Sequence, residues 1–251
     1  GLFQGVIGQS GSALEHWALD SDPLESAEVI GSLNGCDTVS RETLYECMMT
    51  KTGDEMAMAM AAYVNHDRRN AGMGFRGASP VNQLTIDSNF TSNASIIIEK
   101  EPEQYFLDNT INSANLMIGA NKNEGSYVMG IVYLDYLLPN ALIYDDIWMR
   151  DEMVHAILAS LGVEDPTNGL AESLMDAYLG GADPANFEEF AIGAIDMTGV
   201  LFLKAGIWQT AKLHSKHSIK NTYVYSFDFQ SDDTMFSWLF IGHSDMPFET
   251  G

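Results

Sequence analysis

The sequence predicts an α/β protein in which a mainly parallel sheet is interrupted by long helical insertions. Two apolar runs, Gly5-Val6-Ile7-Gly8-Gln9 and Asn115-Leu116-Met117-Ile118-Gly119, are strand-sized, and each leads into a small polar cluster. A third, Thr222 to Phe229, alternates with aromatic residues and is the clearest strand in the chain. Helical patterns fill the intervals, and strands joined through helices pair in parallel.

The first run reads as a buried strand that turns at Ser10-Gly11-Ser12. From about Pro23 to Tyr63 the pattern is helical: Leu24, Ala27, Val29, Ile30 and Leu33 precede a break at Asn34-Gly35, and Ser40 with Glu42 opens the next helix. Gly72, Gly74 and Gly77 loosen the chain before Pro80, and residues 78 to 98 read as an irregular, partly extended surface stretch. The second run delivers Asn121-Lys122-Asn123-Glu124-Gly125. Asp145-Asp146 then caps a helix running to about Leu161. Its apolar stripe is Ile147, Val154, Ile157, Leu158 and Leu161, and Gly162 with Pro166 stops it. Further helix is expected over about 170 to 180 and about 196 to 216. In open parallel sheets function gathers in the loops at the strands' C-terminal ends. Ser10-Gly11-Ser12, Glu124-Gly125-Ser126 and Gly242-His243-Ser244 stand in or near such places.

Composition narrows the function classes. The 251 residues are enough for one large domain or two small ones, and 46% hydrophobic with 19% charged residues is a globular balance. A formal net charge of -23 argues against binding nucleic acid, which demands clustered Lys and Arg, and against an anionic membrane surface. Solubility in an extracellular or saline medium is the simpler reading of that acidity, ahead of steering cationic ligands. No apolar run reaches the ~18 residues of a membrane helix. The longest, around Ile96-Ile97-Ile98 and Val200-Leu201-Phe202-Leu203, are strand-sized or one helix face, so no membrane anchor is expected in this chain. The opening Gly-Leu-Phe-Gln-Gly-Val-Ile reads as the middle of a domain, and the stop at Phe248-Glu249-Thr250-Gly251 is equally abrupt, so both ends read as cuts.

Cys36 and Cys47 stand eleven positions apart, a spacing that suits a small closed loop and is not a metal-ligand spacing. Spacing alone is weak ground for a disulfide. Asn89-Phe90-Thr91 and Asn93-Ala94-Ser95 are glycosylation acceptor sequences in a secreted protein. With the cysteines they favour an oxidising, extracellular compartment.

A serine hydrolase on such a sheet needs a nucleophile, a histidine base and an acid that orients the base, in that chain order. Glu124 after one strand and His243 after the last fit the second and third places. Gly8-Gln9-Ser10-Gly11-Ser12 approaches the G-x-S-x-G elbow of a nucleophile, but Ser12 stands where the motif requires Gly, which sets Ser10 aside. His214 and His217 are three apart on an expected helix. No third ligand is near, and Lys212, Lys216 and Lys220 would repel a cation, so both read as surface residues and no metal site is expected. His16, His66 and His155 carry no partner signal, and the fourteen methionines read as adaptable core filling.

These segments resemble the cholinesterase and type-B carboxylesterase family. Gly1-Leu2-Phe3, Val6 to Leu14 and Trp17-Ala18 are similar to the strand that follows the nucleophile elbow there. Ile118 to Tyr127 looks like the acid loop, in which Glu124 is the triad acid, and Trp238 to Gly251 resembles the loop carrying the histidine, His243. Cys36 and Cys47 are similar to a family disulfide. The resemblance implies a single partial α/β-hydrolase domain over residues 1 to 251, with the nucleophile elbow and oxyanion loop upstream of Gly1. It also implies that Ser10 is a serine behind the triad. In active members a glutamate three residues after the histidine belongs to that buried network. Here that position is Met246, Ser244 replaces a glycine, and Asp245 is one residue early.

Two functions follow as expectations. In the first the full-length protein hydrolyses a small-molecule carboxylic ester: the upstream serine attacks, His243 moves the proton and Glu124 orients His243, with no metal or organic cofactor. In the second the protein is a cholinesterase-like adhesion or receptor ectodomain that binds a protein partner. Retention of both Glu124 and His243 favours the enzyme.

Overall fold

The computed structural model describes residues 2–18, 23–70, 100–160, 163, 165–229 and 246–247. Its sheet has three strands, β1 (Gly5–Gln9), β2 (Asn115–Asn121) and β3 (Thr222–Phe227), in the order β1-β2-β3. Both pairings are parallel. Gly8 stands opposite Ile118 and Gln9 opposite Gly119, while Ile118 faces Val224 and Gly119 faces Tyr225. All three strands therefore end on the same side of the sheet, where Ser10 and the loop bearing Glu124 emerge together.

Central β2 buries Leu116, Ile118 and Ala120 against Ile207 and Ala211 of a later helix. The expectation of a buried β1 is corrected: Ile7 is 68% exposed, and Val6 is exposed as well. Among the described residues β1 has a neighbour on one side only, so its apolar side chains find little to pack against.

Three helices follow β1: α1 (Pro23–Leu33), α2 (Arg41–Met48) and α3 (Gly53–Asn70). Gly35 takes the left-handed conformation (φ 71) just past α1, where a glycine is favoured. The Ser40 side chain accepts from the Thr43 N–H and caps α2. Cys36 and Cys47 are joined in a disulfide with their α-carbons 5.7 Å apart, which ties the end of α1 to α2. Ile30, Leu44 and Ala59 are buried, one from each of these helices. The stretch expected at 78 to 98, with Asn89 and Asn93, lies outside the described residues.

Between β2 and β3 come α5 (Gly125–Val132), α6 (Asp146–Asp151), α7 (Met153–Ser160), α8 (Gly169–Leu174) and α9 (Phe187–Gly199); a short α4 (Pro102–Leu107) precedes β2. Met129, Val132, Met149, Met153, Val154, Ile157, Phe190, Ala194 and Met197 build the main core from α5, α6, α7 and α9. Methionines supply four of these positions, in keeping with their role as adaptable filling. The helix expected from Asp145 to Leu161 is two helices, α6 and α7, with Glu152 (φ -115) at the break. Asp145 does cap it, accepting from the Trp148 N–H at 3.0 Å. Ile147, placed on the apolar stripe, is 60% exposed. It sits two residues from buried Met149, and such positions face opposite sides of a helix.

After α9 a π-helical turn, Val200–Lys204, runs directly into α10 (Ala205–His217), so that Phe187–His217 is one helix of 31 residues. By length and composition it is the single helix among the described residues that could cross a membrane. It is a core helix here, with Phe190, Ala191, Ala194, Ile195, Met197, Phe202, Ile207, Ala211 and Leu213 buried. His214 is also buried, which corrects its reading as a surface residue. Its ring nitrogens meet the Thr222 hydroxyl at 2.7 Å and the Ala114 carbonyl at 3.0 Å, joining α10 to the starts of β2 and β3.

Candidate active site

Ser10 follows β1 directly and takes a left-handed backbone (φ 54), a conformation that costs a serine energy and collects at sites where the fold fixes a side chain. Its N–H donates to the Gly119 carbonyl at 2.9 Å, extending the strand pairing by one bond. That geometry aims the hydroxyl at the next loop, where Ser10 Oγ donates to Glu124 Oε1. The Asn121 N–H donates to the same oxygen at 2.8 Å. Both bonds fall on Oε1, so the carboxylate is oriented from one side. The hydroxyl proton of Ser10 is committed to the Glu124 carboxylate.

The loop carrying Glu124 is held on two flanks. At the sheet, the Lys122 N–H donates to the Phe227 carbonyl at 3.0 Å. At the helices, Gly125 opens α5 against α9 so closely that a Cβ on it would lie 1.7 Å from the Ile195 carbonyl and 2.6 Å from the Gly199 nitrogen. Only glycine fits. Thr198, fully buried, bonds the Ala194 carbonyl at 2.7 Å and reaches the Gly125 carbonyl at 3.4 Å. The Glu124 loop thus rests on packed backbone, an arrangement that limits how far Glu124 can swing.

The segment after Ser10 is anchored to the long helix. Ser12 Oγ pairs with Thr210 Oγ1 at 2.6 Å and accepts from the Leu14 N–H at 2.9 Å, which gives the residue that spoils the G-x-S-x-G motif a structural task. The Trp17 indole donates to the Phe202 carbonyl at 2.7 Å, within the π-helical turn. Glu15 is 5% exposed and lies against Gly206, where a Cβ would sit 2.5 Å from its carboxyl carbon. Burial raises its pKa to about 7, and the N–H groups of Gly206 and Ile207 pull it part of the way back. Glu15 Oε1 has no hydrogen-bond partner among the described residues. His16 packs edge-on to Phe202 with ring centres 5.2 Å apart, and burial lowers its pKa.

Of the residues singled out from sequence, Glu124 and Ser10 are brought together, while His243, Asn89 and Asn93 lie outside the described residues. Met246 is described and half-buried. Glu15, Thr198 and the Gly125–Gly199 crossing have no motif around them. A single acidic residue between Leu14 and Trp17 is the one hint that Glu15 gives in the sequence.

Residues 1–247 match the profile of the Carboxylesterase family. Carboxylesterase 1D of Rattus norvegicus is 23% identical over 128 residues, 51% of this chain and 21% of that protein. Neuroligin-3 of Mus musculus is 27% identical over 133 residues, 53% of this chain and 14% of that protein. Carboxylesterase 1C of Mus musculus is 22% identical over 232 residues, 91% of this chain and 36% of that protein. The chain thus spans well under half the length of each of these relatives.

Proposed function

This chain belongs to the carboxylesterase family, with a parallel-sheet α/β-hydrolase fold, and on that premise we propose that it supplies the acid and the histidine of a serine esterase. Glu124 is the acid and His243 the base; the nucleophilic serine and the oxyanion donors come from a part of the protein outside these 251 residues. The substrate is a small carboxylic ester. Residues 1 to 251 act as part of one α/β-hydrolase domain, with no metal or organic cofactor in the reaction.

The observation that supports this is the Ser10–Glu124 hydrogen bond at the C-terminal ends of two neighbouring parallel strands. With Oε1 occupied by Ser10 and the Asn121 N–H, Glu124 Oε2 is the oxygen for the ring N–H of His243. There the carboxylate holds one imidazole tautomer and stabilises the imidazolium that forms as the serine attacks. The reaction is acyl transfer. The serine oxygen bonds to the ester carbonyl carbon, and the alcohol leaves with the proton that the histidine carries. Water then repeats the attack and frees the acid. The test is Glu124→Gln in the ester-hydrolysing protein that carries this chain: turnover falls by a factor on the order of 10⁴ with the fold intact. An unchanged rate rejects the assignment.

A second reading, a non-catalytic cholinesterase-like adhesion or receptor ectodomain with a protein partner, is favoured by the likeness to Neuroligin-3 and by Met246. The residue at the elbow of the whole protein separates the two: serine supports the esterase, and any other residue supports adhesion. We place the protein outside the cell or in the secretory pathway. The disulfide and the acceptor asparagines Asn89 and Asn93 support that placement.

A further inference from the structure

Lys204 ends the π-helical turn of the long helix, and its side chain leaves the helix for the acid loop. Nζ donates to the Lys122 carbonyl at 2.7 Å and lies 3.4 Å from Asp196 Oδ1, with the side chain 20% exposed. An ammonium drawn that far out of water and aimed at a carbonyl, with its carboxylate partner at the longer distance, serves the carbonyl first. Lys122 is thereby held through both of its backbone groups: its N–H on Phe227 of β3 and its C=O on Lys204 of the helix. Glu124 is two residues further along the same loop, and the Asn121 N–H just before Lys122 is the group that holds its Oε1.

The same helix segment also anchors the Ser10 side of the site. Trp17 bonds the Phe202 carbonyl, and Ser12 meets Thr210. The π-helical turn carries both contacts: the Phe202 carbonyl accepts from the loop after Ser10, and the Lys204 ammonium donates to the loop before Glu124.

We propose that Lys204 is a positioning residue for the acid loop, fixing the Lys122 peptide so that Glu124 keeps its bond to Ser10. Lys204 touches no reacting atom. The inference rests on the reading of Glu124 as the triad acid for its catalytic consequence, and on the Lys122 contact alone for its structural one.

The two are tested separately. In the 251-residue chain, amide hydrogen exchange is followed over residues 121–125, with residues 222–227 as a control for the fold. Lys204→Met speeds exchange in the loop by about tenfold, the effect of losing one charge-assisted hydrogen bond, and leaves the control unchanged. Lys204→Arg, which keeps the charge and the donors, restores protection. If Lys204→Met does not fold, Lys204→Gln is read in the same way. In the ester-hydrolysing protein, Lys204→Met lowers kcat with KM unchanged, and Lys204→Arg recovers it. Loop exchange unaffected by loss of the ammonium, or Arg no better than Met, overturns the proposal. If instead Lys204 governs exchange while Glu124→Gln leaves turnover unchanged, the positioning role stands and the esterase reading falls.

Discussion

The Ser10 hydroxyl donates to a carboxylate oxygen of Glu124, a residue 114 positions later in the chain. The pairing follows from the sheet, because β1 and β2 are adjacent and parallel and both loops leave from the same edge. The bond occupies one lone pair of Oε1, and on the proposed reading Oε2 is then the oxygen for His243. Removing the serine hydroxyl takes away one of the two hydrogen bonds that Glu124 Oε1 accepts.

Ser10→Ala in the ester-hydrolysing protein is expected to lower turnover by about tenfold, the loss of one hydrogen bond to a charged group. A nucleophile would lose nearly all activity. The chain alone is expected to hydrolyse no ester above a denatured control, because base and acid without nucleophile and oxyanion donors have nothing to activate. Stoichiometric labelling of Ser10 by a fluorophosphonate contradicts both expectations.

Glu15 makes stability depend on pH in an unusual direction for a carboxylic acid. Its folded pKa is about 7 against an ordinary 4.5, so between these values the folded chain holds a proton that the unfolded chain has released. Stability from this group is full below 4.5, declines as pH rises, and is lost above about 7. Glu15→Gln removes the dependence. Comparing the two chains by denaturant unfolding at pH 5 and pH 8, the wild type loses about 2 kcal/mol relative to the variant, allowing for partial screening. An equal loss in both chains rejects a buried neutral Glu15.

The disulfide closes a loop of eleven-residue separation between α1 and α2. Replacing both Cys36 and Cys47 by Ser is expected to cost about 3 kcal/mol, mainly by releasing the unfolded chain. Urea unfolding reads this directly, and an unchanged midpoint contradicts it. Two free thiols on denatured, unreduced protein deny the bond itself.

Much of this was readable in the residues because the strands and caps are local. Gly5–Gln9 and Thr222–Phe227 show as strands from composition alone, and Asp145 and Ser40 cap where their side chains reach the next turn. What escaped depends on contacts distant in sequence. His214 looks exposed among lysines but spans two strands, its partner Ala114 lying 100 positions away. Glu15 looks like one more acidic surface residue until Gly206 gives it room against the helix. Lys204 stands in a π-helical turn and meets Lys122, 82 positions earlier, and no hydrophobic period announces either. Glu124 could be proposed from its loop, whereas Lys204 and Thr198, which hold that loop, carry no such signal in the sequence.

The central claim is that Glu124 is the partner of His243, and the most direct measurement is their separation in a crystal structure of the ester-hydrolysing protein. The expected result is a Glu124 carboxylate oxygen, Oε2, about 3 Å from a ring nitrogen of His243, with Oε1 still bonded to Ser10. Side chains on opposite sides of the sheet, or a His243 ring bonded to a different carboxylate, contradict the account.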